Sequence, residues 1–313
     1  NTYGVDPNYQ LGRVQTWNAD VQKDLTQAWV LGGGYTRTTG SSLDIVRAPN
    51  RTASGLLIDS IQSYLYQTSG GISVLNAGTI RLQRHFVHGI GGTVSYTLAK
   101  SMDNASNTGG GGNTVAQNDQ DLAAEYSLSS FDRRHQVTGT VTFELPFGPN
   151  KPWLHSGGTV AAVLGGWRGA ANYTFQTGTP LTPLVTGGVG DIARGSNGSL
   201  RANVVPGVPV FTSGLVFPQF INPAAFTTPA PGSFGDAGRN SVTGPSNSVL
   251  NAQFSRDIRM ANNRTWTLQA NINNIFNQEN FAGINVNVNS TQFGQVTSFR
   301  AARSAQLQLR FRF

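Results

Sequence analysis

The sequence contains no cysteine, so it has neither a disulfide framework nor a thiolate for nucleophilic or metal chemistry. Charge is scarce too. Only 12% of the residues are Asp, Glu, Lys or Arg, about half of the roughly 25% usual in a soluble globular domain. With a mean hydropathy of −0.23, polarity must come from Asn, Gln, Ser, Thr and the 38 glycines. That composition suits barrel interiors and long polar loops. Long apolar runs are also missing: no stretch of about 18 apolar residues occurs, which excludes a transmembrane helix. The remaining way to span lipid is a closed barrel, whose backbone groups pair between strands.

The net charge of +7 raises nucleic acid as a partner. The Lys and Arg residues are scattered singly, however, with no basic run and no reader motif, so no nucleic-acid partner is expected. The start, Asn1-Thr2-Tyr3-Gly4, has no Met, basic region or apolar region of a signal peptide. We expect either a mature chain or a piece of a longer one.

What the sequence does have is alternation. At the C-terminus Ala305, Leu307, Leu309, Phe311 and Phe313 share one parity, and Ser304, Gln306, Gln308, Arg310 and Arg312 the other. Side chains alternate across a strand with period two, so 303–313 is a strand with one apolar and one polar face. Its length fits the roughly 9–11 residues of an outer-membrane strand. A soluble sandwich strand with one solvated face fits the alternation equally well. Leu307, Leu309, Phe311 and the terminal Phe313 also resemble the signal that marks bacterial outer-membrane proteins for assembly.

Eight further strands are expected at 13–25, 28–38, 75–86, 91–100, 134–145, 167–177, 248–260 and 264–275. Short turns at 26–27, 88–89 and 262–263 and a moderate connection at 146–166 alternate with long polar segments at 39–74, 101–130, 179–245 and 277–300. Short turns on one side and long loops on the other are what transmembrane barrels show; a sandwich has no reason to sort loops this way. Trp17, Trp29, Tyr35, Tyr96, Trp167, Tyr173 and Trp266 fall on the apolar faces, several near strand ends, as interfacial girdles would. Leu56-Leu57-Ile58 reads as a short element packed within a loop. Segment 179–245 lacks periodicity, which counts against a compact domain unless it is an extracellular functional loop. Nine strands are odd where bacterial single-chain barrels have even numbers. We therefore expect the C-terminal part of a larger barrel, or a count wrong by one.

Ordered motifs sharpen this expectation. Tyr96-Thr97-Leu98-Ala99-Lys100-Ser101-Met102-Asp103, Phe131-Asp132-Arg133-Arg134-His135, Glu144-Leu145-Pro146-Phe147-Gly148, Leu164-Gly165-Gly166-Trp167, Phe175-Gln176-Thr177-Gly178-Thr179-Pro180 and Asn273-Asn274-Ile275-Phe276-Asn277 follow one another along the chain. With Asn280-Phe281 and Phe293-Gly294, they resemble the C-terminal barrel of Oar-like TonB-dependent outer-membrane receptors. The resemblance implies a bacterial outer-membrane, all-β antiparallel barrel of 22 strands with long extracellular loops and an N-terminal plug. It also implies ligand uptake energised by a TonB-type protein that pulls on a short box before the plug. Nothing in 1–313 matches the plug, the box or the family's carboxypeptidase-like N-terminal domain. Uptake is thus expected only in the full receptor, whose partners are outer-membrane lipid, the missing N-terminal barrel half and plug, and, through them, the TonB-type protein. The family's ligands range over siderophores, glycans and peptides.

Sites of other kinds have little support. Asp132, Arg133 and His135, at the start of a strand facing a lumen or rim, read as a structural hydrogen-bonding motif. His85, His88 and His155 lack ligand spacing. Asp103, Asn104, Asn118, Asp119 and Asp121 match no defined calcium loop. Gly109-Gly110-Gly111-Gly112 lacks the Lys and helix of a phosphate loop and reads as an exposed linker. No serine elbow occurs. No catalytic, cofactor or metal residue is expected, and the chain is not expected to be an enzyme. Arg310 and Arg312 read as lumen-facing charges. A competing reading is a structural or surface-interaction protein, in which a barrel-derived fragment assembles through open strand edges.

Overall fold

The computed structural model describes residues 2–62, 64–105, 116–149, 151–156, 158–185, 200–261 and 264–313. Its main sheet runs through β1 (Arg13–Asp24), β2 (Trp29–Arg47), β3 (Tyr64–Val87), β4 (Ile90–Asp103), β5 (His135–Glu144), β6 (Trp167–Gln176), β7 (Asn247–Arg259), β8 (Thr265–Asn273) and β9 (Ser304–Arg312). Each strand pairs with its sequence neighbours, antiparallel throughout, in an up-and-down meander. Two short strands join its flanks, Thr2–Val5 along β3 and Ser127–Leu128 along β4.

The registers align the apolar parities of successive strands. Leu31, Leu82, Val94, Gly139, Tyr173 and Leu250 form one cross-strand row, and Ile90, Phe143, Gly169, Phe254, Ala270 and Leu307 another. The opposite face carries rows such as Gln83, Thr93, Thr140, Asn172 and Asn251. The apolar face stays uncovered: Val21, Ile80, Val94 and Leu307 are all exposed. The other sheets among the described residues are pairs of two- to four-residue strands, too small to form the second layer of a sandwich. A large apolar surface of this kind is what lipid covers.

The long segments are more ordered than the sequence suggests. Segment 39–74 is largely strand, because β2 continues to Arg47 and β3 begins at Tyr64. At 19 and 24 residues, both exceed the roughly 9–11 needed to cross the bilayer, so their upper parts stand beyond it. Register breaks between Gly40 and Ile45 interrupt the period of two and hide the extension from a parity count. A small hairpin forms at 51–56, so of Leu56-Leu57-Ile58 only Leu56 lies in a short element, while Leu57 and Ile58 are exposed rather than packed. Segment 179–245 is not structureless: Leu200, Ala202, Ile221, Ala225, Phe226, Ala237 and Val242 bury a core with Val185 and with Phe293 from the last long loop. The moderate connection holds a short helix, α1 (Thr159–Leu164). Gly109–Gly112 and the turn at 262–263 lie outside the described residues.

β1 and β9 each pair on one side only, and every residue of both is exposed. Among the described residues the sheet therefore has two free edges.

Candidate functional site: the lumen and its loop crown

The polar face is where a ligand would meet this chain. On β1 and β2, Asp20 and Gln22 stand beside Gly34 and Gly32. The Asp20 carboxylate occupies the space that a Cβ on Gly34 would need, so glycine there makes room for that carboxylate on the polar face. Arg81 and Gln83 continue the patch on β3. Towards the short turns, Arg168 Nη2 donates to Asp257 Oδ2 at 3.1 Å and Thr267 Oγ1 donates to Asp257 Oδ1 at 2.7 Å. Arg259, Arg310 and Arg312 lie on the same face, opposite Thr265 and Thr267, which agrees with the lumen-facing reading of the last two.

Above the long-loop ends of the strands, buried charges bind the loops to one another. Arg201 Nη1 donates to both carboxylate oxygens of Glu125 at 2.9 Å. Arg239 donates through Nη2 to Asp103 Oδ1 at 2.8 Å and through Nε to the Glu125 carbonyl at 2.8 Å. Gln117 receives the Arg201 backbone N–H at 2.9 Å and donates to the Gly235 carbonyl at 2.8 Å. Arg51 Nη2 donates to the carbonyls of Ala116 and Gln117 at 2.5 and 2.8 Å. Burial pulls the Arg51 guanidinium below the usual arginine range, against the attraction of Asp119 and Glu125. Arg47 adds a two-point pair with Asp119 at 2.8 and 2.9 Å, and this hydrogen bond, outweighing burial, raises the Arg47 pKa. Paired and hydrogen-bonded in this way, buried charges fix a loop arrangement even where they add little net stability.

The acidic and amide residues of the second long loop are thus dispersed. Asp103 and Asp119 serve arginines, Asn104 bonds the backbone of Gly70 and Ile72, Asn118 accepts from Gln120 N–H, and Asp121 accepts from Ala124 N–H. The sequence did not mark Arg47, Arg51, Gln117, Glu125, Arg201 and Arg239, because their partners lie far along the chain and follow no period.

The rim motif divides. Asp132 is buried and its Oδ1 accepts the Ser101 N–H at 2.6 Å, tying the loop to β4. Burial pushes its carboxyl above the ordinary value, while the Ser101 bond and Arg134 pull the other way. Arg133 is half-buried, and burial and Arg300 both lower its pKa. His135 corrects the expectation of a lumen- or rim-facing group: it lies opposite Leu98 on the outward, apolar face. There it stacks on Tyr96 at 6.1 Å and shares a 2.8 Å hydrogen bond with the Tyr96 hydroxyl. The reason is register, since 135 has the parity of Val137 and Val141.

Leu307, Leu309 and Phe311, three of the four residues that resemble an assembly signal, line the outward face of the edge strand β9. Phe311 packs on Trp266 at 4.5 Å and Phe313 lies 5.9 Å from Phe311, 94% exposed.

A family model described as an outer membrane beta barrel domain matches residues 1–308. Among solved structures, the outer membrane transporter YddB from Escherichia coli is similar with a TM-score of 0.54 and 9% identity; the match covers 96% of this chain and 33% of that one. FpvA of P. aeruginosa, solved with heterologous pyoverdines, has a TM-score of 0.47 at 8% identity, with 94% and 26% covered. The siderophore receptor PiuA from Acinetobacter baumannii has 0.45 at 14%, with 95% and 28% covered. No curated protein sequence matches the chain significantly. The chain spans about a quarter to a third of the length of these structures. With its uncovered apolar face, polar lumen face and sorted loops, it belongs to the outer membrane beta barrel domain family and resides in the outer membrane.

Proposed function

We propose that this chain is the C-terminal wall of an Oar-like, TonB-dependent receptor of a Gram-negative bacterium, which takes up a ligand through the assembled barrel. In the whole receptor the crown of long loops and the polar lumen face meet the ligand, and the energy-coupling parts belong to the plug side of the protein. The observation that carries this reading is the pair of free edges, β1 and β9, on a sheet that corresponds to about a third of an outer-membrane transporter. Unpaired edges facing lipid would leave backbone groups unsatisfied at several kcal/mol each, roughly, so further strands must close the barrel. The scarcity of enzymatic constellations in the sequence supports a transport role over catalysis.

The test is the intact mass of the native species from detergent-solubilised outer membranes. The reading predicts a mass well above 33.3 kDa, with peptides preceding Asn1, and ligand uptake by cells that stops when the inner-membrane energising system is removed. A native species of 33.3 kDa that forms a closed monomer would overturn it.

A further inference from the structure

The scarce charges of the main sheet are distributed unevenly: cations stand on both faces, the lumen side holding Arg81, Arg168, Arg259, Arg310 and Arg312. On the outward side stand Arg13, Lys23, Arg37, Arg84, Lys100 and Arg256, by register with Ser41, Leu31, Asn76, Trp29 and Trp167. Of the strand carboxylates, Asp20, Asp24, Glu144 and Asp257 have the lumen parity. The outward cations form two bands. Near the short turns Arg84 lies over the Trp29 ring at 5.4 Å and Arg256 over Trp167 at 6.0 Å, arrangements in which an interfacial cation is already satisfied by an aromatic face.

The long-loop band is different. Arg37, Asn76 and Lys100 are consecutive in one cross-strand row, and Trp17 follows Arg37 on β1. Asn76 Oδ1 accepts from the Tyr35 hydroxyl at 2.8 Å and from Arg37 Nη1 at 3.3 Å. With that oxygen occupied, Asn76 offers its amide N–H group, so the row presents donors only: guanidinium, amide and ammonium. Arg37 and Lys100 are exposed, with Cα atoms about 10 Å apart at two strand spacings. Arg13 lies above them on the β1 edge. From Trp29 to Arg37 the strand rises about 26 Å, or about 20 Å along the membrane normal at a tilt of about 40°. This brings the row to within about 5 Å of the far boundary of the roughly 25 Å apolar band, a distance that the long Arg37 and Lys100 side chains span. This donor row, whose Lys100 also attracts the Asp132 carboxylate, reaches headgroup depth and is complementary to phosphate oxygens.

We propose that Arg37, Asn76 and Lys100 form a binding site for a phosphorylated lipid headgroup of the outer leaflet. The inference rests on the long loops lying outside the cell. The acyl chains then run down the Tyr35, Ile80, Tyr96 and Leu98 surface, while Tyr35 holds Asn76 in orientation.

Native mass spectrometry of the full-length protein in detergent, supplied with bis-phosphorylated lipid A or its dephosphorylated form, tests this. Wild type retains the phosphorylated lipid selectively. R37Q/K100Q lowers that retention roughly 30-fold, as expected from about 1 kcal/mol for each charge removed near an anionic lipid surface. K23Q/R84Q, in the short-turn band, leaves it unchanged. Folding is checked by heat-modifiable gel migration; if the double variant does not fold, K100Q alone should lose roughly fivefold. Equal retention of the two lipids, equal retention by wild type and variant, or equal loss in K23Q/R84Q overturns the site. Displacement of the lipid by millimolar inorganic phosphate overturns the lipid as its source.

Discussion

Glu125 and Arg201 meet through two hydrogen bonds of 2.9 Å, with their side chains only 5% and 7% exposed. This contact joins the second long loop to the third over a separation of 76 residues. Removing one partner strands the other charge in a nearly dry site, which costs about 3–5 kcal/mol in such pairs. Glu125→Gln or Arg201→Leu should therefore undock the segment 200–246. Limited proteolysis of the protein in detergent should show new cleavage in that segment, with heat-modifiable migration of the barrel unchanged. The double variant Glu125→Leu/Arg201→Leu should be cleaved less readily than Arg201→Leu alone, since it leaves no carboxylate facing an apolar side chain.

The strands were legible in the sequence and the crown was not, for one physical reason. Alternation is a local property, so Thr138, Thr140 and Thr142 against Val137, Val141 and Phe143 announce β5 without knowledge of anything else. The outward face could then be assembled strand by strand from parity. The upper parts of β2 and β3 escaped because the register breaks near Leu43 shift the period. The crown escaped altogether, since Arg239 finds Glu125 and Asp103 at separations of 114 and 136 residues. In the rim motif, the sequence foresaw hydrogen bonding by Asp132, Arg133 and His135; Asp132 bonds Ser101 and His135 bonds Tyr96, but the outward parity of His135 was missed.

Asp132 gives a pH-dependent prediction. Its carboxyl has a folded pKa raised by burial above the ordinary 3.8. The stability it contributes is full below that unfolded value and is lost as pH rises through the folded value. Asp132→Asn keeps an acceptor for Ser101 N–H without a charge to desolvate. It should equal or exceed wild type in denaturant stability near neutral pH, with any advantage vanishing towards pH 3. Asp132→Ala leaves the buried N–H without this acceptor and should lose about 1–3 kcal/mol at every pH. Urea titration of protein refolded into lipid vesicles across pH 3–8 measures both.

Gly169 on β6 lies under the ring of Phe143 on β5, which occupies the position of any added Cβ and meets Phe254 edge-on at 6.1 Å. An aromatic ring laid over a cross-strand glycine protects the backbone and pins the register. Gly169→Ala should push Phe143 aside and destabilise by about 1–3 kcal/mol. Combining it with Phe143→Leu should recover part of the loss. Denaturant midpoints of the two variants and wild type decide this.

The terminal aromatics separate packing from recognition. Phe311 stacks on Trp266 at 4.5 Å, whereas Phe313 is 94% exposed and its ring contact is Phe311 at 5.9 Å. Truncating Phe311 should cost about 0.5–1.5 kcal/mol beyond its buried area, visible both in vitro and in cells. Deleting Phe313 removes almost no packing, so refolding of the purified protein into detergent or lipid should be unchanged. If Leu307, Leu309, Phe311 and Phe313 act as an assembly signal, the same deletion should still sharply lower the heat-modifiable protein in isolated outer membranes. Because the two variants are compared by both readouts, a stability defect cannot mimic the signal. Normal assembly without Phe313 would remove the terminal ring from that role.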